Sequence, residues 1–556
     1  MKEKYSNMFE WVTTDTKRFM SNGYLKKDET VEDRVAEIAD KADAILRSLG
    51  YTKPFKEKFY EYMGKGFYSL ATPIWANFGR SGLPISCNNV VVGDSVSDIL
   101  YKTAEVGMQT KQGAGTSAYL GGIRPRGTPI STGGVADGPT HFASLFESVI
   151  DIVSQGSVRR GSLAAYLDVE HKDIAEFLEA REEGSFIQRL SLGVCVTNDW
   201  LIAMLAGDKA KQKIWMRILK KRSETGYPYL FFTDNVNDAA PDVYKALGRR
   251  ILSSNLCTEI MLSSTPTESF VCLLSSMNCL TFDDWVGTDA VEVLVAFLDA
   301  VLEDYIRKTE SMPFMKESRN FAVNQRAMGI GSLGLHSYLQ SKLLAFGSEE
   351  ANRLDQLIHS TIQERSYAAS KALAGELGEP PMLRGYGRRH VTLNAIAPTT
   401  SSSFILGAVS PSVEPLQSNY FTQDLAKGKF TYKNPYLKAL LKAKGKDVKE
   451  VWDAILLAGG SVQGLVELSE EEKGVFKTFS EISQYTIIET AAARQRFIDQ
   501  AQSINLSIPP SATPKEIHEL TIAAWTLGLK TLYYQRSSNV AQDLVRSIMS
   551  CKACEA

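Results

Sequence analysis

The sequence predicts an α/β protein, and three observations carry that expectation. From Asp168 onward, helical patterns alternate with short apolar runs at Val194–Val196, Ser269–Leu274 and His390–Ile396, the pattern of strands set between helices. The composition, 44% hydrophobic and 23% charged, is that of an ordinary globular chain. At 556 residues there is enough chain for one large elaborated core or for two to three smaller ones.

The elements follow in order. Residues 1–70 read mainly as helix: Glu29–Leu49 has apolar residues at helical spacing and closes at Gly50, and Phe55–Tyr68 repeats the pattern. A loop-rich region is expected from Ala71-Thr-Pro-Ile-Trp through Gly79 and Gly82 to Ser86-Cys87. Val90–Val92 reads as a buried strand ended by Gly93-Asp94, and Asp98–Gln109 as a helix. A glycine-dense segment, Gly113 to Gly134, comes next. Near the end, the helical run Ile517–Leu529 leads to Tyr533-Tyr534, and Ser537–Ala556 leaves the core with only a weak apolar pattern. The expected division is a helical region over 1–70, a main domain over 71–536 and a flexible tail over 537–556. No internal repeat is visible.

Charge and targeting narrow the function. The net charge is −2, with 62 basic and 64 acidic residues well mixed, which argues against a nucleic-acid surface. The apolar stretch Val291–Leu302 is interrupted by Asp299 and is too short to span a bilayer. Met1-Lys-Glu-Lys-Tyr lacks the apolar core of a signal peptide. The expectation is a cytoplasmic protein, without membrane or nucleic-acid partners. Seven cysteines, at 87, 195, 257, 272, 279, 551 and 554, make an odd count that points to reduced thiols rather than a disulfide framework. Six scattered histidines give no cluster for a metal, and no metal site is expected in this chain.

The densest chemistry is Asn255-Leu256-Cys257-Thr258-Glu259. Were it extended, Asn255, Cys257 and Glu259 would share one face, and a buried strand aims an amide, a thiol and a carboxylate inward only where something uses them. An exposed polar face on an edge strand fits the same spacing. Cys551 and Cys554 form a C-x-x-C within the last six residues. It lacks a second ligand pair for zinc, and the flanking elements of a thioredoxin site. Its position suits a mobile dithiol that exchanges with an interior disulfide and an external reductant, ahead of the alternative of an incidental pair of tail cysteines. Cys87, in a loop before a strand, and Cys272, within one, are candidates for the interior pair or for small buried apolar residues. Pro398-Thr-Thr-Ser-Ser-Ser403 has more hydroxyls than a cap needs, and suits phosphate oxygens as well as a polar turn. Tyr533-Tyr534 reads first as a pair of packing aromatics, and as a relay only where an electron must reach Cys257 from outside. Gly113–Gly134 and Ser154–Gly161 match neither the dinucleotide nor the P-loop pattern.

These segments in this order resemble the large, catalytic subunit of ribonucleotide reductase. The resemblance rests on Ser86-Cys87, Asn255–Glu259, Cys272 within Val-Cys-Leu-Leu-Ser, Arg326-Ala-Met-Gly-Ile-Gly331, Pro398-Thr-Thr-Ser-Ser, Glu414-Pro415, Leu532-Tyr-Tyr-Gln535 and the tail dithiol. It implies a ten-stranded α/β barrel of two parallel five-stranded halves, with a central finger loop that carries Cys257. It implies that Cys257, as a thiyl radical, takes the 3′ hydrogen of a ribonucleotide, with Glu259 as general base and Asn255 bonded to the sugar. Cys87 would protonate the departing 2′ oxygen and end in a disulfide with Cys272, and Cys551 and Cys554 would reduce that bond and be reduced in turn by thioredoxin or glutaredoxin. Thr72, Ser86, Gly115 and Thr399, Thr400, Ser401, Ser402 and Ser403 would hold the substrate. Tyr533 and Tyr534 imply class I, whose radical metallocofactor sits in a separate small subunit. A dNTP or ATP effector would bind near Asp94, Arg124 and Arg159 at a homodimer interface. About seventy residues precede Thr72, so the ATP-cone activity site of the family is not expected, and the compact length suggests a viral or minimal version. Cys195 and Cys279 receive no role. A cobalamin-dependent member of the fold and a non-catalytic regulatory paralogue are the rival readings.

Overall fold

The structure, a computed structural model, describes residues 8–131, 133–153, 161–425 and 428–537. Arg159, nearly all of the Ser154–Gly161 loop, and the tail cysteines Cys551 and Cys554 lie outside the described residues. Among the described residues fourteen strands follow in chain order: β1 Tyr68–Leu70, β2 Cys87–Asn88, β3 Val90–Val91, β4 Thr116–Tyr119, β5 Leu163–Asp168, β6 Ser191–Val196 and β7 Tyr229–Phe232. The second group is β8 Val271–Asn278, β9 Met328–Leu333, β10 Tyr420–Leu425, β11 Gly428–Lys433, β12 Leu506–Ile508, β13 Thr531–Leu532 and β14 Gln535–Ser537.

Sequence rules account for the helical entry. Thr30 caps the helix Val31–Leu49 in a capping box with Asp33, and Gly50 ends it at φ 101°, where a residue without Cβ adopts the left-handed turn without strain. The next helix is shorter than the sequence suggests, Lys56–Gly64, because the chain switches to β1 at Tyr68. The region after Ala71 is not loop throughout: Thr72–Asn77 is a helix with Pro73 in its first turn, a position where the missing N–H costs nothing.

The sheets join into a ring. β3, β4, β5, β6 and β7 run parallel as neighbours, and β13 adds antiparallel to β7. β8 pairs parallel with β9 and antiparallel with β1 and β2. A parallel bridge between Cys87 and Gly115 links β2 to the start of β4. On the far side, Ile330 bridges to Asn394 and Ile396 to Gln502, and Tyr533 N–H donates to the Ile504 carbonyl. Hydrogen bonds can thus be followed from β8 round to β7 and back. The α/β class holds. The second half is less regular than the first, since the expected strand His390–Ile396 forms bridges only.

The ring lies within one hydrophobic core that runs from Phe9 to Tyr533, and a satellite core gathers Leu437, Leu441, Trp452, Ile455 and Phe476. The long apolar stretch is the buried helix Ala290–Lys308. Its Asp299 is held by Arg326 Nε at 2.8 Å, Arg389 Nε at 2.9 Å and His390 Nε2 at 3.1 Å, the pairing a buried carboxylate needs. No helix among the described residues is long and apolar enough to cross a membrane.

Candidate active site

Asn255–Glu259 is not an extended strand. The segment turns at Leu256–Thr258, and Thr258 takes φ 70°, a left-handed conformation costly for a β-branched residue. The surroundings hold it there. Tyr166 of β5 donates to the Asn255 carbonyl at 2.8 Å, Ser117 of β4 to the Ser254 carbonyl at 2.8 Å and Thr531 of β13 to the Thr258 carbonyl at 3.0 Å. Ala501 N–H donates to the Glu259 carbonyl. These tethers come from several sides of the ring, so the loop is fixed inside it.

The turn still brings the three polar side chains together. Asn255 Nδ2 donates to Cys87 Sγ at 3.4 Å, and Cys87 Sγ lies 3.8 Å from Glu259 Oε1. Asn255 Oδ1 accepts from Ile260 N–H and Ser254 Oγ, so this residue also closes its own loop. Burial pushes the Glu259 carboxyl up to about 7, against the lowering effect of hydrogen bonds from its backbone, Asn255, Ser503 and Cys87. Ser503 Oγ is 3.0 Å from Glu259 Oε2 and 2.5 Å from the Cys257 carbonyl oxygen. Its single proton serves one acceptor at a time.

Cys87 and Cys272 stand directly opposite each other in the antiparallel β2–β8 register. Cys87 is therefore a strand residue, not a loop residue, because the short β2 extends alongside β8. Opposed residues in such a ladder have Cα separations of about 4.5–5.5 Å, inside the roughly 4.4–6.8 Å span of a disulfide. Cys272 lies behind Cys87, fully buried, with its thiol pKa raised by desolvation. Gln500 Nε2 reaches its sulfur at 3.7 Å.

A cavity of about 140 Å³ opens over these groups. Cys87, Asn255, Cys257 and Glu259 line one side, Thr72, Ser86 and Gly115 border it, and Thr399, Thr400, Ser401 and Ser402 face it. Ser403 points away and donates to the Val409 carbonyl, while Thr399 Oγ1 accepts from Ser412 N–H at 2.6 Å. The hydroxyl row is thus shorter toward the cavity than the sequence suggests. At Gly115 an added Cβ would meet Leu256 Cδ2 at 3.1 Å, so the loop packs onto this glycine.

On the other side of Cys257 stand the tyrosines. Tyr533 O–H donates to Cys257 Sγ at 3.6 Å, and the Tyr533 and Tyr534 rings lie 4.2 Å apart. Tyr533 is buried and Tyr534 half-buried. Cys257 thus touches both the cavity and an aromatic column leading outward. Away from this centre, Arg124 donates from its backbone and Nε to Asp94, at 2.9 and 2.6 Å, in a half-exposed ion pair before the helix Val96–Lys111. Cys195 and Cys279 are buried thiols with raised pKa values, both through desolvation. Sequence reasoning missed Tyr166, Gln500 and Ser503, which reach the site from 89, 228 and 244 residues away. No local spacing announces them.

A family model described as the ribonucleotide reductase barrel domain matches residues 85–212, 206–383 and 381–535. The chain belongs to the ribonucleotide reductase family. The structure is similar to the Actinobacillus ureae class Id ribonucleotide reductase alpha subunit, with a TM-score of 0.90 and 49% identity over 98% of this chain and 99% of that one. The ribonucleoside-diphosphate reductase large subunit of Invertebrate iridescent virus 3 is 33% identical over 94% of this chain and 93% of that protein. A vitamin B12-dependent ribonucleoside-diphosphate reductase of Mycobacterium tuberculosis is 30% identical over 89% of this chain and 74% of that protein.

Proposed function

We propose that this chain is the catalytic large subunit of a class I ribonucleotide reductase, converting ribonucleoside diphosphates into deoxyribonucleotides for DNA synthesis. The observation that carries the class is the position of Cys257, in contact with the substrate cavity on one side and with the Tyr533 hydroxyl on the other. A cysteine oxidised from outside needs such a column, whereas a radical made beside it by cobalamin does not.

The residues have the following parts. Tyr534 and Tyr533 relay a hydrogen-atom vacancy, supplied by a separate small subunit that holds the metallocofactor, to the Cys257 thiol. The thiyl takes the 3′ hydrogen of the ribose while Glu259 takes the 3′-hydroxyl proton. Asn255 holds the sugar. Cys87 protonates the 2′ hydroxyl, which leaves as water. Two electrons then pass from Cys87 and Cys272, which close a disulfide, and Cys257 returns its hydrogen to C3′. The balance is one ribonucleotide and two thiols giving one deoxyribonucleotide, one disulfide and one water. Burial keeps water and oxidants from the radical.

Thr72, Ser86, Gly115 and the 399–402 hydroxyls that face the cavity are assigned to the substrate, with its phosphates on the hydroxyl row, and Ser403, turned away toward Val409, is left out. Asp94, Arg124 and Arg159 are assigned to a nucleotide effector at the interface of a homodimer. Cys551 and Cys554 are assigned to re-reduction of the interior disulfide, with thioredoxin or glutaredoxin as the final donor in the cytoplasm. The main domain is assigned to 71–536, flanked by the helical region 1–70 and the tail 537–556.

The test is CDP reduction by the purified chain with dithiothreitol and dATP, alone, with adenosylcobalamin, or with a candidate small subunit. Product only with the small subunit, abolished in Cys257→Ala, is the expected result. Product with adenosylcobalamin alone would overturn the class and favour the reading that the mycobacterial relative represents.

A further inference from the structure

The tyrosine column has a neighbour that no motif announces. Tyr227 lies beside β7, and its hydroxyl is 3.1 Å from that of Tyr534. The two rings meet edge to face at 5.3 Å. Ser191 Oγ, on β6, donates to the Tyr227 oxygen at 3.4 Å. Either hydroxyl can donate in the Tyr227–Tyr534 pair; Ser191 occupies one of the two Tyr227 lone pairs, and the Tyr227 proton remains available to the Tyr534 oxygen.

We propose that Tyr227 is a positioning residue for radical passage, donating a hydrogen bond that fixes the Tyr534 oxygen in both its phenol and its phenoxyl states. The proposal rests on the assignment of Tyr534 and Tyr533 as the relay to Cys257. The chemistry is that of a hydrogen-atom vacancy moving inward. A Tyr534 phenoxyl takes the hydroxyl hydrogen of Tyr533 and becomes phenol again, and the Tyr533 phenoxyl takes the thiol hydrogen of Cys257. Tyr227 loses no atom at any step. Its donated bond keeps the Tyr534 oxygen in one orientation while the O–H of that residue is broken and remade.

Two observations keep Tyr227 from being a third carrier. The Arg181 guanidinium stands over the Tyr227 ring, 4.6 Å from its centroid, and a cation on the π face makes removal of an electron from that ring more costly. Tyr227 is also the more buried of the pair, at 9% exposure, whereas Tyr534 is half-buried. An oxidising equivalent arriving from outside therefore meets Tyr534 first.

The experiment uses the full chain with its small subunit, CDP and effector, with 3-aminotyrosine in place of Tyr534 to trap the radical there. Electron–nuclear double resonance after exchange into D₂O then reads the hydrogen bond to the trapped radical. The expected result is a strong exchangeable deuteron coupling, lost in Tyr227→Phe. In the chain carrying natural Tyr534, Tyr227→Phe lowers turnover about 5- to 10-fold, the loss of one neutral hydrogen bond, with CDP and effector affinities unchanged. An unchanged coupling with unchanged turnover would overturn the proposal and leave the relay assignment standing. A drop in nucleotide affinity together with turnover would mean that Tyr227 acts only in packing, and would overturn it too. Failure to trap any radical at position 534 would overturn the relay assignment itself, and the proposal with it.

Discussion

Replacing Ser503 by alanine should move the acid limb of the activity profile rather than lower activity uniformly. Ser503 Oγ is 3.0 Å from the Glu259 carboxylate, and that carboxyl, lifted by burial, titrates at about 7. A general base works only when ionised, so turnover in the parent protein falls as the pH drops through that value. A hydrogen bond to a charged acceptor contributes about 1.5–3 kcal/mol, or roughly 1–2 pK units. Its loss disfavours the charged form and carries the carboxyl to about 8–9 by the same arithmetic. At pH 7 the ionised fraction then drops from about one half to about a tenth or a hundredth, a loss of about 5- to 50-fold. At pH 9 the variant should recover to within about twofold of the parent. The assay is steady-state CDP reduction from pH 6 to 9.5 with the small subunit in excess, read as the ratio of variant to parent, which cancels titrations shared by both. Ser503 also lies 2.5 Å from the Cys257 carbonyl, so a purely structural loss would lower the ratio equally at every pH. A flat ratio would refute the assignment of Glu259 as the titrating base.

Three further perturbations follow. Tyr533→Phe removes the hydroxyl 3.6 Å from Cys257 Sγ; turnover should fall by at least about a thousandfold, as expected when an obligatory transfer group is lost, while CDP binding measured by calorimetry stays within twofold. Gly115→Ala places a Cβ 3.1 Å from Leu256 Cδ2 and 3.5 Å from the Ser86 carbonyl; KM for CDP should rise several-fold with little change in Tm, and an unchanged KM would remove Gly115 from the substrate wall. Asp299→Asn leaves Arg326 and Arg389 without their buried carboxylate, and chemical denaturation should show a loss of about 3 kcal/mol or more. Burial alone would raise the Asp299 carboxyl, but Arg326, Arg389 and His390 hold it well below the carboxylate range. Its contribution is therefore complete above the unfolded value near 4 and is lost as the pH falls from there toward the folded value. The parent should lose stability over that acid window, and Asp299→Asn should lose less.

Local features were the most legible. The helical spacing and the closing Gly50 announce the helix read over Glu29–Leu49, and the structure keeps its Gly50 end while starting it at Val31, after the Thr30 cap. The run at Ser269–Leu274 overlaps β8, which begins at Val271 and continues to Asn278. The composition of the Asn255–Glu259 loop was legible, but its conformation was not. A left-handed Thr258 has no sequence marker, because it is held by Thr531, Tyr166 and other groups hundreds of residues or several strands away. The loop after Ala71 was misread because Pro73 signals a break as readily as a helix start. The facing of Cys87 and Cys272 depends on a register between strands far apart in the chain. No periodicity encodes a register, and the residues that meet the site singly, Gln500, Ser503 and Tyr227, are invisible for the same reason.

The Cys87–Cys272 pairing also sets a problem of delivery. Both cysteines belong to the wall of the ring, held by strand hydrogen bonds on β2 and β8, so a bond between them cannot swing out to meet a reductant. The opening above Cys87 is a cavity of about 140 Å³, room for a sugar and too narrow for a folded redox protein. Electrons must therefore come in on a courier: a small dithiol, or a slender length of peptide that vacates the chamber before the next nucleotide enters. On the proposed roles, product departure and re-reduction both use this cavity and take turns in it. A queue of that kind makes the supply of thiols a pacemaker of the cycle, independent of how fast the radical chemistry runs.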